Sequence, residues 1–241
     1  MTKTLAVARS DGPDRFSDGL YTVAEAARYL RVPTSTLNNW THGYTMKSDH
    51  RPTVVGAPIL STVGPTGGAS IPFIGLAEGL VLTALRRSGV PLQRIRPALD
   101  LLSQQFGLTH ALASQQLFSD GAEVIYDYAN KTGDDDATRD LIVVRNGQRV
   151  FAEIVEEYLQ LVTFGEDGYA QVLRLPGYAS AWVIADPARG FGQPIFADGG
   201  ARLDDVLGLF RAGEPLSVVA EEYGVPGDAL EDAVRVATQA A

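Results

Sequence analysis

The stretch Gly19–Trp40, GLYTVAEAARYLRVPTSTLNNW, decides the fold, because it spells two short helices joined by a tight turn. Thr22-Val23-Ala24-Glu25 is a capping box: the threonine hydroxyl accepts from the Glu25 N–H while the glutamate carboxylate reaches back to the Thr22 N–H. Val23, Ala26, Ala27 and Leu30 follow at i, i+3, i+4 and i+7, an apolar stripe that predicts a helix packed by that face. Arg31-Val32-Pro33 interrupts it, since proline disfavours helical geometry in the residue before it and suits the first turn of a new helix. Pro33 to Trp40 is then the second helix, with Leu37 and Trp40 inward and Ser35, Thr36, Asn38 and Asn39 left for water or for bases. That order is the one used by helix-turn-helix readers of duplex DNA.

Working outward, 241 residues with 45% apolar and 20% charged content describe a soluble protein of one or two domains that buries a core. The sequence has no apolar run of about eighteen residues to span a bilayer. Met1 to Phe16 carries Asp11, Pro13 and Asp14 where a secretory signal needs an apolar stretch, so a cytoplasmic location is expected. The lack of cysteine excludes disulfides, thiolate metal sites and cysteine nucleophiles. The net charge of −9 is divided unevenly: residues 1–100 hold 11 Lys and Arg against 7 Asp and Glu, and residues 101–241 hold 9 against 22. A half at +4 and a half at −13 suit a nucleic-acid-facing N-terminal part and an acidic remainder that meets a basic partner. Four surplus charges hold phosphate weakly, which favours a homodimer on paired half-sites.

After Trp40, Thr41-His42-Gly43-Tyr44 reads as a helix exit, and Val54-Val55 and Ala57 to Leu60 read as short strands. With the loop Gly64 to Ser70 they predict a wing, a hairpin lying on the DNA backbone beside the second helix. Two helices follow, carrying Leu76, Leu80, Leu82, Ala84 and Leu85, then Leu92, Ile95, Leu99 and Leu102. Arg86, Arg87, Arg94 and Arg96 flank the turn between them and read as a solvated helix end. From Gly121 the pattern turns to strands, at Ala122 to Tyr128, Leu141 to Val144 and Gln148 to Phe151, with Asn146-Gly147 as a hairpin turn. A helix over Glu153 to Leu161 leads to strands at Tyr169 to Leu175 and Ala181 to Ala185. Pro187, Gly190, Gly192 and Pro194 mark a linker or extended entry to a last helical unit. There Leu203, Val206, Leu207 and Phe210, then Val218 to Tyr223, then Leu230, Ala233 and Val234 predict three helices. Acidic residues around the last turn make protein a better partner for that unit than phosphate.

Gly192-Gln193-Pro194-Ile195, Arg202, Gly213, Ser217 to Tyr223 and Leu230 to Ala233 resemble the small C-terminal domain of VapB-type antitoxins from bacterial type II toxin–antitoxin modules. Tyr21 to Trp40, with Leu85 to Pro91 and Ile95-Arg96, resembles a MerR-like winged helix-turn-helix. The two similarities cover roughly the first hundred and last fifty residues. They imply a PIN-type ribonuclease toxin as partner, neutralised by direct binding, and autoregulatory binding of operator DNA. Arg202 and Arg211 are the candidates for entering such a toxin's carboxylate site.

The expected fold class is therefore α+β and mainly helical. It comprises an N-terminal winged helix-turn-helix in 1–105, a central α+β segment with a small antiparallel sheet in 106–190, and a C-terminal three-helix, helix-turn-helix-like unit in 191–241. For DNA, Thr34, Ser35, Asn38 and Asn39 are the expected base contacts, because asparagine bonds adenine bidentately and hydroxyls adapt to several bases. Arg28, Arg31, Lys47 and Arg51 are the expected phosphate contacts, which position without specifying sequence. Thr, Ser and Asn also cap helices, so a structural role stays open.

No metal or cofactor is expected. The Asp134 to Asp136 run reads as a solvated loop, and His42, His50 and His110 lack metal-ligand spacing. Gly64 to Ser70 lacks a phosphate-binding lysine, Glu156 and Glu157 point apart on their helix, and no nucleophile elbow or dinucleotide fingerprint occurs. No enzyme is expected. Two other readings stay open: a ligand-responsive regulator whose pocket uses Tyr126, Tyr128, Phe151 and Tyr158, and an interaction module with no DNA role.

Overall fold

The computed structural model describes residues 12–48, 51–65, 67–117, 157–158 and 160–239. The Thr22 hydroxyl accepts from the Glu25 N–H at 3.2 Å and the Glu25 carboxylate accepts from the Thr22 N–H at 2.8 Å, completing the capping box. Helix α1, Val23–Leu30, buries Ala26, Ala27, Tyr29 and Leu30 and ends at Arg31, which takes the left-handed conformation (φ 54°). Helix α2, Thr34–His42, starts after Pro33 and runs two residues beyond Trp40, because Thr41 turns its hydroxyl back to the Leu37 carbonyl (3.1 Å) and stays in the helix. Gly43 stops it at φ 78°, a conformation open to residues without a Cβ.

The hairpin that follows differs from the expected one. Strands β1, Tyr44–Ser48, and β2, Arg51–Gly56, pair antiparallel with Thr45 opposite Val55. Ala57 to Leu60 is not a strand: the N–H groups of Ile59 and Leu60 donate to the Trp40 carbonyl and tie the hairpin's exit to the end of α2. The Gly64 to Ser70 loop belongs to another connection, since Ser70 and Ile71 bond the Tyr21 carbonyl beside α1. The sequence joining the two strands, Ser-Asp-His-Arg, carries none of the asparagine–glycine chemistry that marks hairpins.

Helix α3, Phe73–Arg87, is buried on every side from Phe73 through Leu85 and forms the axis of the core. Helix α4, Leu92–Phe106, packs by Ile95 and Leu102. The approach around α3 is close. A Cβ on Gly75 would stand 2.5 Å from the Ser61 carbonyl oxygen, a backbone atom that cannot swing aside. Gly75→Ala is therefore expected to destabilise the protein by about 1–3 kcal/mol through overpacking, outweighing alanine's helix preference of about 1 kcal/mol. A lower thermal midpoint than wild type checks this.

Strands β3, Val162–Phe164, β4, Ala170–Arg174, β5, Val183–Ala185, and β6, Ile195–Phe196, form one antiparallel sheet in that order. Leu173, Val183, Ala185 and Phe196 enter the same core as α1–α3. The stretch expected as a linker or extended entry is extended around Pro194 and part of the sheet: Ile195 pairs with Ile184, and Gly190–Gly192 is a tight turn against it. Helices α5, Leu203–Arg211, α6, Leu216–Tyr223, and α7, Gly227–Gln239, close the chain around Val206, Leu207, Val219, Leu230 and Ala233. The fold is mixed helix and sheet, with a helix-turn-helix region at the N-terminus and a small antiparallel sheet. The strands expected between Ala122 and Phe151, and the Asp134 to Asp136 loop, lie outside the described residues, as does most of the helix expected over Glu153 to Leu161.

Candidate nucleic-acid interface

Helix α2 is fixed from below by Leu37 and Trp40, both buried in the core that α2 shares with α1. Residues four apart share a helix face, so Thr34 sits above Asn38 and Ser35 above Asn39, and all four are exposed. The amides of Asn38 and Asn39 have no side-chain hydrogen bond among the described residues, and the Pro33 position gives the helix no side-chain cap. This is a polar ridge on a rigid support, with its hydrogen-bonding capacity free for a ligand. His42 is exposed in the last turn, its Nδ1 2.8 Å from the Thr41 hydroxyl.

The expected phosphate contacts separate into two groups. Lys47 is exposed on β1, in the hairpin that leaves α2; Arg51 is on β2, and its side chain is outside the described atoms. Arg28 is exposed but already engaged within the chain: it pairs with Asp204 in the first turn of α5 at 3.3 Å and lies 4.9 Å over the Tyr29 ring. Arg31 lies across Gly177, which has φ 96° and no side chain to obstruct it. These two arginines join α1 to the C-terminal third of the chain.

Of the arginines flanking the α3–α4 turn, Arg86, Arg87 and Arg96 are exposed or partly so, yet they hold the structure together, and the Arg94 side chain lies outside the described atoms. Arg86 donates to the Val90 carbonyl at 2.8 Å, and Arg87 to the Tyr158 hydroxyl. Arg96 donates to the Ala57 carbonyl at 2.6 Å and lies 5.7 Å over the Tyr44 ring, bracing the hairpin from α4. Tyr158 is buried, so it belongs to the core; Tyr126, Tyr128 and Phe151 of the ligand-pocket reading lie outside the described residues.

Sequence reading missed a polar knot at the base of this region. Glu78 on α3, 4% exposed, accepts from the Ser61 N–H (2.7 Å) and hydroxyl (2.9 Å) and meets His110 Nδ1 at 3.0 Å. The hydrogen bond to Glu78 raises the His110 pKa above its ordinary value, against burial, which lowers it. Serine, histidine and glutamate here do not form a hydrolytic triad. Ser61 Oγ and Glu78 both meet Nδ1, whereas a triad uses one imidazole nitrogen for each.

At the C-terminal end Arg202 and Arg211 are exposed at opposite ends of α5. Arg211 borders a shallow groove with Leu207, Phe210, Val234, Ala237 and Thr238. No helix among the described residues is long and apolar enough to cross a membrane.

Residues 19–99 match the family described as "Putative DNA-binding HTH domain". The chain is 51% identical over 226 residues to "Putative antitoxin VapB45" of Mycobacterium tuberculosis, across 91% of this chain and 94% of that protein. The crystal structure of Rv2018 from Mycobacterium tuberculosis is similar with a TM-score of 0.72 at 47% identity, over 91% of this chain and 99% of the other.

Proposed function

The chain belongs to the family of the VapB45 antitoxin, and from that premise we propose that it neutralises a toxin by direct binding, without catalysis, and binds its own operator DNA through α2. The observation that carries the DNA reading is the exposed ridge of Thr34, Ser35, Asn38 and Asn39, whose side chains meet no partner among the described residues, on a helix whose other side is locked in the core. In this reading α1, α2 and the β1–β2 hairpin make a winged helix-turn-helix of the MerR kind, within a domain spanning 1–105. Lys47 and Arg51 hold phosphates from the wing. Arg28 and Arg31 contribute field more than contact, because both already lie against the chain's own C-terminal third.

The partner is a PIN-type ribonuclease in the same reading, met by the segment 191–241, whose three helices form a helix-turn-helix-like unit with Arg202 and Arg211 at the ends of α5. The protein works in the cytoplasm as a homodimer that places two α2 helices on paired half-sites.

Binding to a labelled duplex taken from upstream of its own reading frame tests the DNA half. Asn38→Ala and Asn39→Ala are each expected to weaken specific binding by about 1–3 kcal/mol, roughly 5- to 150-fold. Lys47→Ala is expected to weaken all sequences alike and to flatten the salt dependence. Equal affinity of wild type and the double asparagine variant would exclude α2 as the reading helix. Co-expression with the protein encoded in the adjacent frame, read as relief of growth arrest, tests the toxin half.

A further inference from the structure

The outer face of the four-stranded sheet carries aromatic side chains that the core does not use. Arg174 on β4 pairs with Ile184 on β5, which pairs with Ile195 on β6, so the three share one face. Trp182 lies two residues before Ile184, and its carbonyl continues the ladder by accepting from the Ala197 N–H at 2.7 Å, which places the indole on that face as well. Trp182 is 59% exposed, with the Arg174 guanidinium 4.7 Å over its ring.

The turn Gly190–Gly192 rests on the same face: a Cβ on Gly190 would stand 2.8 Å from Ile195 Cγ2. Its middle residue, Phe191, is 70% exposed and has φ 54° and ψ 36°, between two glycines at φ 60° and 78°. A left-handed phenylalanine facing water gains nothing from folding, and it persists only where the surroundings over-determine it. They do so here. Asp186 gathers the N–H groups of Ala188, Arg189 and Gly192, and the buried Tyr21 hydroxyl donates to the Gly192 carbonyl. Arg189, two residues before Phe191, donates to the Ala197 carbonyl at 2.9 Å. Neither Arg174 nor Arg189 has an ion pair among the described residues.

We propose that Trp182 and Phe191, flanked by Arg174 and Arg189, are the anchor by which this chain grips an acidic protein surface, that of its toxin. The proposal rests on the toxin-binding reading above and moves the principal contact from α5 to the sheet. Rigid aromatics beside arginine are the composition of interface residues that dominate binding energy. Two arginines with no ion pair among the described residues, in a half of the chain at −13, make a local positive island that complements carboxylates. A polyanionic strand fits less well, because a continuous phosphate backbone runs on past the two arginines onto exposed Asp198 and the surrounding negative charge, whereas a local cluster of carboxylates ends within the island.

The test measures affinity of the full chain for the protein encoded in the adjacent frame, comparing wild type, a Trp182→Ala/Phe191→Ala variant, an Arg174→Glu/Arg189→Glu variant and an Arg202→Ala/Arg211→Ala variant. Each is first checked for an unchanged thermal midpoint. All four positions in the sheet variants are at least partly exposed, and the charge reversal retains both aromatics should the aromatic variant fold poorly. Wild-type binding with a loss of about tenfold or more in both sheet variants, larger than in the α5 variant, supports the proposal. Wild-type binding that both sheet variants retain overturns the proposal and leaves the toxin-binding reading standing. Absence of wild-type binding overturns both. Dissociation of a homodimer, or loss of single-stranded RNA binding, in the sheet variants with toxin affinity unchanged assigns the face to another occupant and overturns the proposal.

Discussion

Replacing Asp232 by alanine is expected to destabilise the protein by about 3–5 kcal/mol, the scale for breaking a buried, fully bonded charge. Asp232 is 6% exposed on α7, and its Oδ2 accepts from three successive backbone N–H groups, those of Ala179 (2.6 Å), Ser180 (2.8 Å) and Ala181 (3.0 Å). Its Oδ1 takes Arg235 from the next turn. Alanine strands three donors at the entrance to β5, whereas asparagine keeps one acceptor oxygen and is expected to lose roughly half as much. Urea midpoints for the two variants check the order.

The same carboxylate gives an acid dependence whose sign is fixed. Burial alone would raise its pKa, but the Ala181 N–H, the Arg235 guanidinium and the N–H groups of Ser180 and Ala179 outweigh it and hold the group below the usual carboxylate range. A depressed folded pKa means that the stabilisation is complete above about pH 4, the unfolded value, and is lost as pH falls through the folded one. Asp232→Asn is therefore expected to lose less stability than wild type on acidification from pH 5 to pH 3.

Removing Glu78 is the second large effect. Alanine leaves the Ser61 N–H, the Ser61 hydroxyl and His110 without their shared acceptor beneath α3, a loss of about 3 kcal/mol. Glutamine keeps one oxygen and loses less. Here the pH sign is opposite, because the folded pKa of His110 is raised. Its contribution is complete below about pH 6.5, the unfolded value, and disappears as pH rises through the folded one. Thermal midpoints across pH 6 to 9 are expected to drift downward in wild type and to lose that component in Glu78→Gln. An unchanged slope would separate His110 from the protonation equilibrium.

What could be read ahead of the coordinates followed the range of the interactions. The Thr22–Glu25 box, the Val23–Leu30 stripe and the stop at Gly43 are written within one or two helical turns, where neighbouring residues determine each other. Helix α3 was legible as a helix, but its burial on all sides depends on partners elsewhere in the chain. The β1–β2 register was obscured because its turn lacks a diagnostic dipeptide and two valines nearby drew the strand too late. Glu78 meets a histidine 32 residues on, and Asp232 meets amides 51 to 53 residues back; no local spacing announces either. The ridge on α2 was legible in composition as a polar helix face, and its four residues are exposed. That Arg28 and Arg31 lie against distant backbone and a distant carboxylate was not legible, since a surface arginine carries no sign of its partner.

The Tyr21 hydroxyl ends on the Gly192 carbonyl, and the Gln193 amide on the Leu20 carbonyl. A nascent chain emerging from the ribosome at about 5–20 residues per second has its first two helices outside long before the segment that covers them is made. Unfinished or truncated products thus carry an open seam beside α1, and the wait between its two halves is built into the order of synthesis.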